Sequence, residues 1–261
     1  MINSSRMNQL LGITESYKAP EAMLNIIYNR QKREQLMKDV LEESNCNVGV
    51  DVFREYFESE HADRKVKKQD FTPPSIAKLA AALVGTPKAG TFYEPCAGTG
   101  SMTIAQWDQD RRNHSPFDYR PSWYFYTCEE LSDRALPFLI FNLALRGMNA
   151  TVVQCDTLSR RAQGAFFIQN DKDDHLQFSS VNRLPYSKEV ESYLSVKFVQ
   201  EQYPPLIESP REFLKLPAFA APTTKGHVSD FTKAFYAICG VGDYKFEVAS
   251  PEPEPVQLTL F

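Results

Sequence analysis

The chain has 261 residues, 43% of them hydrophobic, and a formal net charge of −4 from 29 basic and 33 acidic residues. This composition is typical of one soluble globular domain with some additional helices, and it excludes fibrous, low-complexity and wholly disordered proteins. Because the chain is weakly acidic, it has no overall attraction for nucleic acid, and any such contact has to be local.

The sequence has no pattern typical of a metal site, a disulfide framework or a membrane segment. Its five cysteines are widely spaced without a C-x-x-C pair, and its four histidines never fall at metal-ligand spacing. The first residues lack the layout of a secretory signal, and the most apolar stretch, residues 136–145, is too short to span a bilayer. We therefore expect a cytoplasmic protein that binds no metal and no membrane.

Residues 1–68 are rich in helix formers, and their apolar residues recur at roughly helical spacing, which predicts a helical N-terminal extension. A basic cluster near its end is either a solvated face or a local source of positive charge for nucleic acid. The cluster consists of Arg64, Lys65, Lys67 and Lys68.

A further helix is predicted to begin at Thr72, because a threonine hydroxyl can cap free amides and the prolines that follow are tolerated in a first turn. Gly85 is expected to end this helix. Its apolar face comprises Ile76, Leu79, Ala80 and Leu83.

Strands and helices alternate over the central part of the chain. The pattern predicts strands at 91–93, 123–127 and 151–154, with helices at 101–107 and 132–146. Pro137 should kink the second helix unless it lies in the first turn. The alternation predicts an α/β fold with a parallel sheet whose ligand crevice lies at the carboxyl ends of the strands. A hairpin of strands 165–169 and 177–181, a helix at 188–198 and an irregular segment at 203–224 are expected to follow.

The first predicted strand leads into Glu94 and a turn that contains Gly98, Thr99 and Gly100. The turn matches neither G-x-G-x-x-G nor G-x-x-x-x-G-K-[ST], so it predicts neither a dinucleotide site nor an ATP phosphate cradle. A glutamate at its start opposes a bound phosphate and suits a cationic or amine-bearing ligand.

Acidic residues follow all three strands of the predicted parallel sheet: Glu94, then Glu129 or Glu130, then Asp156. At converging strand ends, one acid can accept from both ribose hydroxyls of a nucleoside and another from an adenine amino group. This arrangement indicates a nucleoside pocket without a phosphate site, which points to S-adenosylmethionine. The alternative is that the acids only mark solvent-exposed strand ends.

Four motifs stand in order along residues 67–160: Phe71-Thr72-Pro73, residues 93–100, Glu130 with residues 142–147, and residues 155–158. In this order and spacing they resemble the motifs of N6-adenine DNA methyltransferases, particularly the methylation subunits of type I restriction systems. The resemblance implies a doubly wound, mostly parallel sheet of the class I methyltransferase type over residues 69–246. It also implies DNA as the substrate and a bacterial, phage or plasmid origin.

The resemblance also implies a role for each motif residue in binding S-adenosylmethionine. Phe71 and Thr72 would brace the methionine end of the cofactor, Glu130 would hold the ribose, and Asp156 would hold the adenine. Cys96 follows a proline, as does the nucleophile of cytosine-5 methylation, but its place in the cofactor loop favours a structural role. The residues that would wrap the cofactor are Glu94, Pro95, Cys96, Ala97, Gly98 and Gly100.

The catalytic motif of that family is Asn or Asp, Pro, Pro, then Tyr or Phe. A side-chain oxygen and a backbone carbonyl accept from the adenine amino group, and the ring stacks on the flipped base. The nearest match here is Asn182-Arg183-Leu184-Pro185-Tyr186, and its alignment places Arg183, which has no acceptor, at the catalytic position. Either Asn182 reaches the base through a one-residue bulge while Pro185 and Tyr186 keep their roles, or the chain has lost transfer activity.

Only about 75 residues follow this motif, which leaves no obvious target-recognition domain. DNA sequence choice would therefore need a separate specificity subunit or the N-terminal helices. Without transfer activity, the chain would be a DNA-associated accessory protein, and a protein-methylating enzyme of similar fold is a more distant alternative.

The C-terminal residues 247–261 combine a spacer of alternating proline and glutamate with a final apolar pentapeptide. The spacer is expected to be extended. The pentapeptide resembles the motif by which bacterial proteins bind the replication sliding clamp, and its apolar side chains suit a hydrophobic pocket on such a partner. The alternative is a terminal strand packed on the domain. The clamp-binding residues would be Gln257, Leu258, Leu260 and Phe261.

Overall fold

The structure, a computed structural model, describes residues 2–60, 72–85 and 88–209, without the side chains of residues 58–60. Within these residues four helices come first, with a short 3₁₀ turn between the first two, and a fifth precedes the sheet. They are α1 (Ser4–Leu11), α2 (Ala19–Ile27), α3 (Arg30–Glu43), α4 (Arg54–Glu60) and α5 (Pro74–Val84).

The sheet and its connecting helices occupy the rest of the described chain. In order, they are β1 (Gly90–Glu94), α6 (Ser101–Arg112), β2 (Tyr124–Glu130), α7 (Leu136–Leu145), β3 (Ala150–Asp156), β4 (Arg161–Gln169), β5 (Ser180–Arg183), α8 (Lys188–Leu194) and β6 (Lys197–Phe198).

The described strands pair in chain order from β1 to β5, and β6 pairs with β4. The pairs β1–β2, β2–β3 and β4–β6 are parallel, whereas β3–β4 and β4–β5 are antiparallel. The predicted α/β class with a mostly parallel sheet is thus confirmed. The described strands do not include the point at which a doubly wound sheet reverses its order.

Both faces of the sheet are buried, because successive side chains of its strands point to opposite sides. One face belongs to the large core that also contains α7 and Trp107 of α6, and the other packs against Val190 of α8. The first face includes Tyr126, Val152 and Phe166, and the second includes Phe125, Val153 and Phe167.

The N-terminal helices contribute to the same core as the sheet. All ten residues of α7 are buried, which suits a helix that is apolar on every side. The ring of Phe53 packs edge-on against Phe138 and Phe141 of α7, with ring centroids 5.0 and 5.4 Å apart. Phe57 of α4 packs edge-on against Phe138 as well, and α2 also contacts α7, so the N-terminal part of the chain is packed directly on this helix.

Helices α7 and α5 begin at different residues from those that the sequence predicts. Helix α7 begins at Leu136, so Pro137 falls in its first turn, where a missing amide costs nothing, and no kink is required. Helix α5 is capped by Pro73 without a side-chain bond, so the predicted Thr72 cap is wrong.

The predicted apolar face of α5 does not form its buried side. Ile76, Leu79 and Leu83 are more than half exposed among the described residues, whereas Ala77 and Ala81 are buried against α6. Small side chains let the two helices approach closely, and this packing decides which side of α5 is buried.

Several predictions fall on residues outside the described part of the chain. These are the basic cluster at 64–68, Phe71, most of the irregular segment at 203–224, and the spacer and clamp motif at 247–261. Among the described residues, none of the helices combines the length and apolarity needed to cross a bilayer.

Candidate functional site

The turn after β1 forms a loop, Pro95–Gly100, whose glycines have backbone angles that other residues adopt only with strain. Gly98 has a φ of 57° and Gly100 a φ of 98°. A Cβ on Gly100 would also lie 2.9 Å from Cδ1 of the buried Leu139. This glycine loop is closed by a hydrogen bond of 2.8 Å from the Gly100 amide to the Ala97 carbonyl, and α6 begins directly after it.

Glu94, at the end of β1, is buried beneath the loop with 7% of its surface exposed. Its Oε2 accepts a hydrogen bond of 2.9 Å from the Thr103 amide and another from the Thr103 hydroxyl. Burial raises the pKa of Glu94 to about 7 despite these two bonds, and the neighbouring Glu130 and Asp51 add to the effect. The loop thus lies above a carboxyl group that titrates near neutral pH.

Glu130, at the end of β2, ties the glycine loop to the next strand. Its Oε2 accepts from the Gly98 amide at 2.6 Å and its Oε1 from the Ser132 amide at 2.7 Å. The Ala97 amide also donates to the carbonyl of Glu129 at 2.9 Å. A carboxylate can accept about four hydrogen bonds, so Glu130 keeps acceptor capacity beyond these two amides.

The side chain of Glu129 points to the other side of the sheet and pairs with Arg160, whose Nη1 lies 2.7 Å from its Oε2. Burial alone would raise the pKa of Glu129, but hydrogen bonds from Arg160, Thr157 and Tyr93 lower it. Arg160, with a positive φ of 59°, also donates to the carbonyls of Leu194 and Ser195. The sequence patterns did not single out Arg160.

Asp156, at the end of β3, closes a tight turn. Its Oδ1 accepts from the Leu158 amide at 3.0 Å and its Oδ2 from the Ser159 hydroxyl at 2.8 Å, and these bonds lower its pKa. The adjacent Thr157 donates through its hydroxyl to the Pro95 carbonyl at 2.7 Å. The ends of β1, β2 and β3 are therefore joined around the glycine loop, as their spacing in the sequence predicts.

The charge around the loop is negative. Among the described residues, Glu94, Glu130 and Asp156 form no ion pair with a lysine or arginine, whereas Glu129 is paired with Arg160. Unpaired carboxylates repel a phosphate and attract a cation. The geometry thus suits a positively charged ligand with hydroxyl or amino groups.

The predicted catalytic residue Asn182 lies inside the protein, with 0% of its surface exposed. Its Nδ2 donates to the Phe167 carbonyl at 3.3 Å and the Ser209 hydroxyl at 2.9 Å. Its Oδ1 accepts from the amides of Glu208 and Ser209 at 2.9 and 3.0 Å. In this arrangement the side-chain amide joins β5 to residues 208–209 and is not presented to a ligand.

Tyr186 is likewise engaged by its neighbours. Its hydroxyl donates to the Gln163 carbonyl and accepts from the Tyr203 amide, both at 2.9 Å. The guanidinium of Arg183 lies 4.9 Å from the ring centre, and the ring of Phe198 packs edge-on at 4.9 Å. Pro185 is buried beside it.

The sheet does not bring this motif next to the glycine loop. Three strands separate β1 from β5, so the two edges lie about 19 Å apart at ordinary strand spacing. Of the other predicted site residues, Thr72 is half-buried in the segment before α5, and Cys96 is an exposed free thiol in the glycine loop.

Comparisons with known proteins found a matching family and similar solved structures. The model of a family described as N-6 DNA Methylase matches residues 49–203. A crystal structure of a modification subunit of a putative type I restriction enzyme from Vibrio vulnificus YJ016 matches with a TM-score of 0.34 and 14% sequence identity. That match covers 49% of this chain and 25% of the Vibrio chain, so it spans about a quarter of that protein. No curated protein sequence gives a significant match.

Proposed function

Since the chain belongs to the N-6 DNA methylase family, we propose that it is an S-adenosylmethionine-dependent methyltransferase that acts on the N6 amino group of adenine in DNA. The observation that carries this proposal is the glycine loop, which is held at the ends of three strands. Glu94, Glu130 and Asp156 surround it, and no lysine or arginine among the described residues forms an ion pair with them. The cofactor is a cation with ribose hydroxyls and an adenine amino group, and these groups match the acids around the loop.

Each acid of the site has a distinct part in this proposal. Glu130 accepts from the ribose hydroxyls with the lone pairs that the Gly98 and Ser132 amides leave free. Asp156 accepts from the adenine amino group. Glu94, whose pKa is about 7, favours a positive charge near the loop in its ionised form, above about pH 7. When bound, the cofactor supplies an electrophilic methyl group. Gly98 and Gly100 allow the loop backbone to adopt its positive φ angles.

Calorimetric titration with S-adenosylmethionine tests the cofactor site. We expect the native chain to bind it, and Asp156→Ala to bind about tenfold more weakly, because the variant loses the acceptor for the adenine amino group. Asp174→Ala is the matched control, since Asp174 closes a similar turn through the Leu176 amide at 2.9 Å but lies in the loop between β4 and β5. Absence of binding by the native chain would refute the proposal.

Methyl transfer itself is tested with tritiated S-adenosylmethionine and adenine-containing DNA. We expect label in N6-methyladenine. A native chain that binds the cofactor but labels no DNA would contradict the catalytic half of the proposal.

A second candidate function is a DNA-associated accessory protein that keeps the family fold without transferring a methyl group. The burial of Asn182 and the contact of Arg183 with the Tyr186 ring favour it. This candidate predicts cofactor binding without label transfer, and measurable turnover by the native chain would count decisively against it.

We also propose that residues 257–261 recruit the chain to the replication sliding clamp. We expect deletion of Leu260 and Phe261 to abolish binding to a purified bacterial clamp, because both side chains suit its hydrophobic pocket. Surface plasmon resonance measures this binding, and calorimetry of the same variant should give unchanged affinity for S-adenosylmethionine. Equal clamp binding by the shortened chain would overturn this proposal.

A further inference from the structure

A carboxylate that precedes α4 holds the glycine loop from the N-terminal side of the chain. Asp51 accepts from the hydroxyl of Thr99 and, at 2.9 Å, from the hydroxyl of Ser101. Its other oxygen accepts from Nδ2 of Asn142 at 2.9 Å and from the Phe53 amide at 3.0 Å. Four donors thus occupy the acceptor sites of one side chain.

These donors lie on both sides of the strained part of the loop. Thr99 and Ser101 flank Gly100, whose φ is 98°. Asn142, on the buried helix α7, donates through the same Nδ2 to the Thr99 carbonyl at 2.8 Å. Asp51 and Asn142 therefore fix both the side chain and the main chain of Thr99.

A buried cation completes the arrangement. Arg146, one turn beyond Asn142, donates to Oδ1 of Asn142 at 2.9 Å and to the carbonyls of Val48 and Val50 at 2.8 and 2.6 Å. Burial lowers the pKa of Arg146 to about 10, and the charge of Asp51 counters this effect. The segment before α4 is thus attached to α7 and to the glycine loop at once.

We propose that Asp51 is a positioning residue that holds the glycine loop in the conformation required for cofactor binding. This inference rests on the proposed function only for the identity of the ligand, S-adenosylmethionine. It makes the segment that contains Asp51 part of the cofactor site.

The bonding pattern predicts which substitutions Asp51 tolerates. Asparagine can keep one oxygen as acceptor for Asn142 and Phe53, and its amide can donate to the hydroxyls of Thr99 and Ser101, since these can turn to accept. Alanine removes all four bonds. Asp51→Asn should therefore rescue much of the function that Asp51→Ala loses.

The test measures loop order and cofactor affinity separately in Asp51→Ala, Asp51→Asn and the native chain. We expect faster amide hydrogen exchange over residues 97–104 in Asp51→Ala and about tenfold weaker calorimetric binding of S-adenosylmethionine, with both effects largely reversed in Asp51→Asn. Asp110→Ala is the control for a lost buried carboxylate, because Asp110 accepts from Gln106 and Tyr126 at the far end of α6.

The two measurements distinguish failure of this inference from failure of the proposed function. Unchanged exchange over the loop in Asp51→Ala, or changes equal to those in Asp110→Ala, would overturn the positioning role. If neither the native chain nor any variant binds S-adenosylmethionine, the proposed function fails. The rates of amide hydrogen exchange still decide in that case whether Asp51 orders the loop.

Discussion

Replacing Glu94 with glutamine is expected to remove the pH dependence that this residue imposes on the stability of the fold. We expect the difference in unfolding free energy, Glu94→Gln minus native, to be about 3 kcal/mol larger at pH 8 than at pH 4.5. Urea denaturation of both proteins across this range measures it. The pKa of Glu94 in the folded chain, about 7 against an ordinary value of 4.5, determines the size of the effect.

The direction of this pH effect depends on whether the folded or the unfolded chain holds the proton of Glu94. Between about pH 4.5 and 7 the folded chain retains the Glu94 proton, whereas the unfolded chain has lost it. Its contribution to stability therefore falls as the pH rises through this window, because the buried group has to ionise. Glutamine stays neutral, and its oxygen can still accept from the Thr103 amide.

Glu129→Gln is the matched control, since the pKa of Glu129 is lowered. The native contribution of Glu129 is present above its ordinary pKa of 4.5 and is lost as the pH falls below that value. The difference for this variant should therefore change little between pH 4.5 and 8, and below pH 4.5 it should change in the opposite direction. Parallel pH profiles for the two variants would contradict the environment that the structure gives Glu94.

Asn182→Asp is expected to destabilise the fold by about 3 kcal/mol or more at pH 8, because it leaves an unpaired charge in the core. In the native chain Nδ2 of Asn182 donates to the Phe167 carbonyl. In the variant a carboxylate oxygen takes the place of this donor, so two acceptors face each other and repel. Chemical denaturation measures the loss. The family motif accepts Asn or Asp, so a catalytic role predicts instead that the variant stays folded and active.

Asn170→Asp is the matched control for the loss of stability expected in Asn182→Asp. Asn170 is also a buried amide, and its Nδ2 donates to the carbonyls of Gly147 and Asp174 at 3.0 and 2.7 Å, in a loop with no predicted catalytic residue. Similar losses in the two variants would support a structural Asn182. A far smaller loss in Asn182→Asp, with methyl transfer retained, would restore its catalytic assignment.

The sequence could predict the strand-end acids and the glycine loop, because both depend on short segments of the chain. Alternating strands and helices placed Glu94, then Glu129 or Glu130, then Asp156 at neighbouring strand ends, and the structure joins these ends around the glycine loop. The glycines of the loop indicate a turn because their positive φ angles exclude most side chains. Such features depend on a few consecutive residues.

The contacts of Asp51 could not be predicted in this way. Asp51 is 48 residues from Thr99 and 91 from Asn142, and neither separation has a helical or strand period. Its neighbours in the sequence form no recognisable motif. Only the attachment of residues 48–53 to α7, through Arg146 and Phe53, brings its carboxylate to the loop.

The sequence by itself determined the α/β class, the acidic glycine loop and the family, since each depends on local patterns or on motifs at short, regular spacing. Tertiary structure alone decided that Asn182 is buried, that three strands lie between β1 and β5, and that the N-terminal helices share the core. The physical reason is that strand order and burial depend on contacts between segments that are distant in the sequence. The spacing of residues within one segment carries no information about the free energies of these contacts.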